Sequence, residues 1–133
     1  MGSEMCITDS GIMKTCLIVD DSRMIRRVAG RIVKDLGFET LEAINGQDAL
    51  DKCGIDMPHA ILVDWAMPVM DGFDFVKELR KMPDGDKPTV VFCTSIRDVE
   101  RIVEALAAGA DEYIMKPFDS DIIESKFALA GLV

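Results

Sequence analysis

The feature that most constrains this fold is the alternation of short apolar runs with helical patterns along the whole chain. The apolar runs are rich in β-branched residues, and three of them carry almost no polar residue before their ends, which is typical of strands buried on both faces. Five predicted strands cover residues 15–21, 38–43, 59–64, 89–95 and 111–117. Five predicted helices cover residues 23–36, 46–53, 73–82, 97–108 and 120–131.

The first helix shows the pattern most clearly. Its apolar residues fall at offsets 0, 3, 4, 7, 8 and 11, which is one face of a helix, and its basic residues fall mostly on the other. Ser22 or Asp21 can cap its start, and Gly37 can end it. Alternating strands and helices predict an α/β, flavodoxin-like, doubly wound (βα)5 fold, with a parallel five-stranded sheet of order 2-1-3-4-5 and helices on both faces.

Length and charge limit the possible functions. The 133 residues fit one domain at residues 14–133, with residues 1–13 as a flexible extension or a leftover of cloning. The net charge of −9 disfavours nucleic-acid binding, and no apolar run is long enough for membrane insertion. The four cysteines show no CxxC spacing, which favours a reducing, cytoplasmic location over a zinc site or disulfides.

Polar residues end the predicted strands. Asp20 and Asp21 follow the first strand, Asp64 ends the third, Thr94 the fourth, and Lys116 the fifth. In a parallel sheet these ends meet at one edge, beside the switch point where ligands bind. Each residue alone has a plain structural explanation, such as a helix cap, a turn or a solvated charge. Their convergence predicts a functional site.

The chemistry of that site follows from its charges. Three converging carboxylates raise one another's pKa unless a cation neutralises them, and a few oxygen ligands favour Mg²⁺. A carboxylate beside Mg²⁺ can attack phosphorus and form an acyl phosphate. The Lys116 ammonium and the Thr94 hydroxyl would then partner the oxygens of the phosphoryl group.

At these residues the chain resembles a response-regulator receiver domain, of the single-domain, CheY-like chemotaxis type. The matching motifs are "LIVDDS", "DWAMPVMDG", "CTS" and "DEYIMKPF", in that order. Thirty residues separate Asp64 from Thr94, and twenty-two separate Thr94 from Lys116, as in that family. The resemblance covers Lys14 to about Leu129.

The resemblance implies a role for each matching residue of the acidic site. Asp64 matches the phosphoacceptor, which receives its phosphoryl group from a sensor histidine kinase, a phosphotransfer protein or a small acyl-phosphate donor. Asp21 matches the direct Mg²⁺ ligand, and Asp20 its water-mediated neighbour. The Ala66 main-chain carbonyl, with Asp64, completes the protein ligation.

The resemblance also implies a switch. Lys116 matches the lysine that pairs with the phosphate and precedes a cis proline, here Pro117. Thr94 matches the hydroxyl that moves toward the phosphoryl group. Tyr113 matches the coupled aromatic residue, which turns inward and reshapes the face formed by the fourth helix, fifth strand and fifth helix. That face would bind an unidentified partner protein in trans.

Two positions depart from the chemotaxis type. Ala66 and Ile96 are apolar where that type has an amide and an acid. Both positions border the path of the attacking water in the family, so the lifetime of the phosphoryl group is expected to differ from that of CheY.

Three other functions are alternatives to signalling. A Mg²⁺-dependent phosphohydrolase could use Asp64 as nucleophile on small phosphoesters, but "DWAMP" lacks the second carboxylate that would act as general acid. A flavin carrier would need hydroxyls and amides where "DDSR" stands. A phosphorylation-independent docking module stays open. The favoured function is two-component phosphorelay signalling by a protein that catalyses only its own phosphorylation and dephosphorylation.

Overall fold

The computed structural model describes residues 14–95 and 99–133. Within them strands and helices alternate along the chain, as the sequence predicts. The strands are β1 (Thr15–Val19), β2 (Glu39–Ala43), β3 (Ala60–Asp64), β4 (Thr89–Thr94) and β5 (Glu112–Met115). The helices are α1 (Arg23–Asp35), α2 (Gly46–Ile55), α3 (Gly72–Leu79), α4 (Val99–Ala108) and α5 (Ser120–Leu129).

The strands form one parallel sheet of order β2-β1-β3-β4-β5, so the predicted topology is confirmed. Residues alternate between two apolar cores. Leu17, Val19 and Phe92 face one core, whereas Cys16 and Ile18 face the other. Both faces are therefore covered, which explains why the central strands are apolar without interruption.

Capping side chains fix the starts of four helices. Ser22, Asn45, Asp71 and Asp119 each accept a hydrogen bond from a backbone N–H three residues later. Ser22 is therefore the cap of α1, and Asp21 is not. Gly37, with φ of 100°, follows the end of α1 in the left-handed region that glycine tolerates.

Helix α3 is shorter than the sequence predicts, because it ends at Leu79 and not at residue 82. Beyond Leu79 the backbone makes tighter turns, with the N–H of Met82 donating to the carbonyl of Leu79. Gly85 packs against that same carbonyl, where an added Cβ would lie 1.8 Å from the oxygen. The returning chain thus occupies the space into which the helix would extend.

Across the described ranges, no helix has the length and apolar character required to cross a membrane.

Candidate functional site

The ends of β1 and β3 place three carboxylates together. Asp20 and Asp21 follow β1, and Asp64 ends the neighbouring strand β3. One oxygen from each lies within 4.8 Å of the others. Asp20 and Asp64 are buried, whereas Asp21 is exposed, so the cluster opens to solvent on one side.

Lys116 reaches this cluster from the end of β5. Its Nζ lies 2.9 Å from Asp20 Oδ2 and 3.3 Å from Asp64 Oδ1. The main-chain N–H of Lys116 donates to the carbonyl of Thr94, which ties the ends of β4 and β5 together. The Lys116–Pro117 peptide bond is cis. The ammonium therefore bridges two buried carboxylates.

Together, burial and neighbouring groups raise the pKa of both Asp64 and Lys116, with opposite effects on their charged forms. Burial raises the pKa of Asp64, and the negative charge of Asp20 adds to this, while Lys116 only partly offsets both. Burial alone would lower the pKa of Lys116, but its hydrogen bond to Asp20 and the charge of Asp64 outweigh burial and raise it. The charged form of Asp64 is thus disfavoured, whereas that of Lys116 is favoured. A bound cation would stabilise the charged form of Asp64.

Asp20 is held by further contacts from α1. Its Oδ1 accepts a hydrogen bond from the N–H of Ser22 at 2.9 Å, and its main-chain carbonyl accepts one from Arg26 Nη1 at 2.7 Å. Arg26 also pairs with Glu42 of β2 at 2.8 Å. The sequence pattern placed Arg26 with the solvated cations of α1, but its side chain is largely buried against the cluster. No motif at Arg26 signals this contact, because it depends on how α1 packs.

Two other residues singled out from the sequence lie outside the carboxylate cluster. Thr94 is buried at the end of β4, one residue beyond Cys93, which is the register partner of Asp64. Tyr113 is half-buried on β5 against the core that contains Phe92, and Lys126 Nζ lies 5.0 Å from the centre of its ring.

The loop after Asp64 approaches the site through its backbone. Ala66 is exposed at its start, and Val69 has a positive φ of 68°, which is unusual for a β-branched residue. Gly72 N–H donates to the Trp65 carbonyl at 2.9 Å, and Gly72 lies directly against the main chain of Asp64. Ile96 lies outside the described residues.

The donor set fits a hard divalent cation. The three clustered groups supply only carboxylate oxygens, and the exposed side at Asp21 leaves room for water ligands. Mg²⁺ prefers few carboxylates and retains several waters, whereas Ca²⁺ takes more oxygen ligands.

The raised pKa of Asp64 leads to a prediction for the metal-free protein in chelator. Between the ordinary carboxyl pKa of 3.8 and the raised value, the native state holds a proton that the unfolded chain releases. Stability therefore falls as pH rises through that window. Asp64→Asn lacks this proton, so we expect it to melt above wild type at neutral pH, with the difference shrinking toward pH 4. Thermal melts of both proteins across pH test this. The substitution Asp86→Asn, at an exposed position, is the control and should follow wild type. Parallel curves of melting temperature against pH for wild type and Asp64→Asn would contradict the prediction.

Most of the chain is similar to known proteins of one family. Residues 16–128 match the family described as response regulator receiver domain. A probable transcriptional regulator, ycf27, of Cyanophora paradoxa is 34% identical over 113 residues, covering 85% of this chain and 46% of that protein. The chemotaxis protein CheY of Thermotoga maritima is 34% identical over 114 residues, covering 84% and 93%.

The solved structure of Vibrio cholerae chemotaxis protein CheY4 superposes with a TM-score of 0.83 at 31% identity, covering 91% of this chain and 99% of that one. The chain spans about half the length of the first curated relatives it matches, and nearly all of the two chemotaxis proteins.

Proposed function

This chain belongs to the response regulator receiver domain family, whose members act in two-component phosphorelay signalling, and we propose that it does so by accepting a phosphoryl group on Asp64. The observation that carries the proposal is the meeting of Asp20, Asp21, Asp64 and Lys116 at one edge of the sheet. Among the carboxylates, Asp64 is the one that belongs to the central strand β3, with its main chain fixed on both sides.

Asp20, Asp21 and Asp64, with the main-chain carbonyl of Ala66, would hold Mg²⁺ in this proposal. When bound, Mg²⁺ supplies positive charge that offsets the three carboxylates and the charge that builds up on the transferring phosphoryl group. The buried Asp20 is oriented by the N–H of Ser22, so it does not need to reorganise. Exposed Asp21 is free to adjust.

In the transfer step, an Asp64 carboxylate oxygen forms a bond to phosphorus as the bond from phosphorus to the donor breaks. The donor would be the phosphohistidine of a sensor kinase or phosphotransfer protein, or a small acyl phosphate, and the leaving group keeps the electron pair. Lys116 already lies 3.3 Å from Asp64, so its ammonium is placed to pair with a phosphoryl oxygen. The Thr94 hydroxyl would pair with another oxygen.

The proposed output is a change of the face formed by α4, β5 and α5. Thr94 ends β4, where it pairs with Met115 of β5, and Tyr113 lies on β5 within this face. On α4 the apolar residues Val99, Val103 and Leu106 are exposed, which gives a partner protein an apolar surface to bind. We place this partner and the phosphodonor in the cytoplasm. Apart from its own phosphorylation and dephosphorylation, the domain would catalyse no reaction.

The direct test is phosphorylation by a small acyl-phosphate donor with Mg²⁺. Wild type should gain the mass of one phosphoryl group and lose it after base treatment, whereas Asp64→Asn should gain none. A phosphohydrolase would instead release phosphate from small phosphoesters in many turnovers. If wild type neither takes up a phosphoryl group nor releases phosphate from phosphoesters, only the docking module is left.

Trp65 offers a prediction for the metal. It is the only tryptophan, it adjoins Asp64, and it packs against Phe73 and Phe92. Mg²⁺ binding should reorient the Asp64 carboxylate and change the fluorescence of Trp65 in a saturable titration. Asp21→Ala should shift that titration to at least tenfold higher Mg²⁺, because it removes a charged ligand. A titration identical to wild type would remove Asp21 from the ligand set.

A further part of the proposal is that apolar Ala66 and Ile96 set the lifetime of phosphorylated Asp64. Ala66 is exposed beside the site and has no group that could orient an attacking water. Ala66→Asn, combined with a polar residue at position 96, should therefore alter the decay rate of the phosphorylated protein severalfold. Mass spectrometry would measure the loss of the phosphoryl group over time. Equal decay rates for the variant and wild type would refute this role.

A further inference from the structure

We propose that a basic groove between α1 and the edge strand β2 binds an acidic segment of a partner protein. The groove has a volume of about 550 Å³ and is lined by Arg27, Arg31 and Lys34 of α1 and by Thr40 and Glu42 of β2. This binding surface goes beyond the proposed phosphorylation of Asp64 and does not depend on it.

Charge is distributed very unevenly over this protein. The chain as a whole carries 15 basic and 24 acidic residues. Helix α1 reverses this balance, with five cations in 13 residues against Asp35 alone. Arg23, Arg27 and Arg31 follow one another at i, i+4 spacing, where like charges destabilise a helix. An anion bound along this face would remove that cost.

Among the described residues, three of the four cations that line the groove are available to a ligand. Arg26 is already paired with Glu42 at 2.8 Å. Within residues 14–95 and 99–133, Arg27, Arg31 and Lys34 have no ion pair or side-chain hydrogen bond, and all three are exposed. Guanidinium groups form paired hydrogen bonds with carboxylates, so two free arginines on one face suit Asp or Glu side chains.

The shape of the groove follows from the edge position of β2. Strand β2 pairs only with β1, so its outer side and part of its face toward α1 are left uncovered. Gly30 also lines the groove, and Val28 and Ile32 add aliphatic surface. A polypeptide that carries acidic and aliphatic side chains therefore matches the lining better than a free anion does.

The rest of the surface argues against nucleic acid as the occupant. Helix α1 is about 20 Å long at the usual rise per residue, so the basic stripe is short. A long polyanion would extend past it onto a protein of net charge −9 and be repelled there. A short acidic segment would stay within the basic stripe, where the acidic lining residue, Glu42, is already paired with Arg26.

Arg26 connects the groove to the carboxylate cluster. Its guanidinium pairs with Glu42 inside the groove and donates to the main-chain carbonyl of Asp20. An acidic ligand that competes with Glu42 for Arg26 would therefore act directly on a residue that holds Asp20 in place.

The test uses the whole chain in chelator at low salt and a fluorescein-labelled oligoglutamate peptide, followed by fluorescence anisotropy. One variant combines Arg27→Gln, Arg31→Gln and Lys34→Gln. The matched control combines Lys77→Gln, Lys81→Gln and Lys87→Gln, which removes the same charge from the exposed surface around α3. Thermal melts establish that both variants fold.

We expect the peptide to bind wild type and the control with similar affinity, and to bind the groove variant at least tenfold more weakly. Raising the salt concentration should weaken binding to wild type. Equal losses in both variants would show general electrostatic attraction and overturn the proposal, as would no binding to wild type. Stronger competition by a single-stranded oligonucleotide of equal charge, or by inorganic phosphate, would assign the groove to another ligand.

Discussion

Gly72→Ala is expected to lower the melting temperature by about 10 °C and to slow phosphorylation of Asp64, although residue 72 carries no chemistry. An added Cβ would lie 2.3 Å from the carbonyl oxygen of Asp64 and 2.8 Å from Phe92 Cε1. The first of these neighbours is backbone at the end of the central strand β3 and cannot rotate away. Overpacking at a site that cannot relax costs about 3 kcal/mol.

The effect on function has the same origin. To accommodate a methyl group, either α3 must move outward or the main chain of Asp64 must shift. The first change opens the core around Phe92, and the second displaces the carboxylate relative to Lys116, whose Nζ lies 3.3 Å away. Reactions that depend on alignment are sensitive to displacements of about 1 Å.

Gly54→Ala is the matched control for this substitution. Gly54 lies within α2, and an added Cβ there would meet only Met82 Cε, at 3.9 Å, which is an ordinary contact. Alanine also favours a helix over glycine by about 1 kcal/mol. The control should therefore melt at or above wild type, and a Gly72→Ala protein that did the same would show that the loop yields easily.

The role of Gly72 illustrates what the sequence could not predict. The Asp71-Gly72 pair is typical of a break in regular structure, and the structure shows that Asp71 caps α3. A capping residue acts within one turn, so sequence spacing suffices to find it. The contact between Gly72 and Asp64 depends on how tightly the loop folds back over β3, and no local pattern encodes that distance.

The same distinction applies to the acidic site. Strand order and the parallel arrangement place the ends of β1, β3 and β5 at one edge, so the convergence of Asp20, Asp64 and Lys116 could be predicted from periodicity alone. The carboxylate that Lys116 contacts could not be predicted, because local electrostatics determine the partner of a long, flexible side chain. In the structure its shorter contact is to Asp20, at 2.9 Å.

Helix α1 shows where periodicity itself is insufficient. Val28 falls on the apolar face by spacing, yet it is exposed, whereas Arg26 on the charged side is largely buried. Both deviations arise because α1 packs over the sheet near its edge, where the neighbouring strand β2 leaves a groove.

Lys116→Met is expected to destabilise the metal-free protein by about 3 kcal/mol and to make it far more responsive to Mg²⁺. The side chains of Asp20 and Asp64 are only 4% and 12% exposed, and the ammonium of Lys116 is the cation that bridges them. Without it two buried carboxylates face each other uncompensated. Methionine retains the aliphatic length of lysine, so the loss should report charge and not packing.

Mg²⁺ distinguishes this explanation from a general defect. A ligand that binds only the native state stabilises it in proportion to its affinity, and removing a competing positive charge should raise the affinity for Mg²⁺. Saturating Mg²⁺ should therefore raise the melting temperature of Lys116→Met more than that of wild type. The pair of Lys126 and Glu112, at 3.0 Å, provides the control. Lys126→Met should cost about 1 kcal/mol and leave the Mg²⁺ response unchanged, because Lys126 contacts Glu112 and the ring of Tyr113 and not the three clustered carboxylates. If Mg²⁺ stabilised Lys116→Met and wild type equally, the ammonium and the metal would not be sharing the same carboxylates, and the proposed ligand set would be wrong.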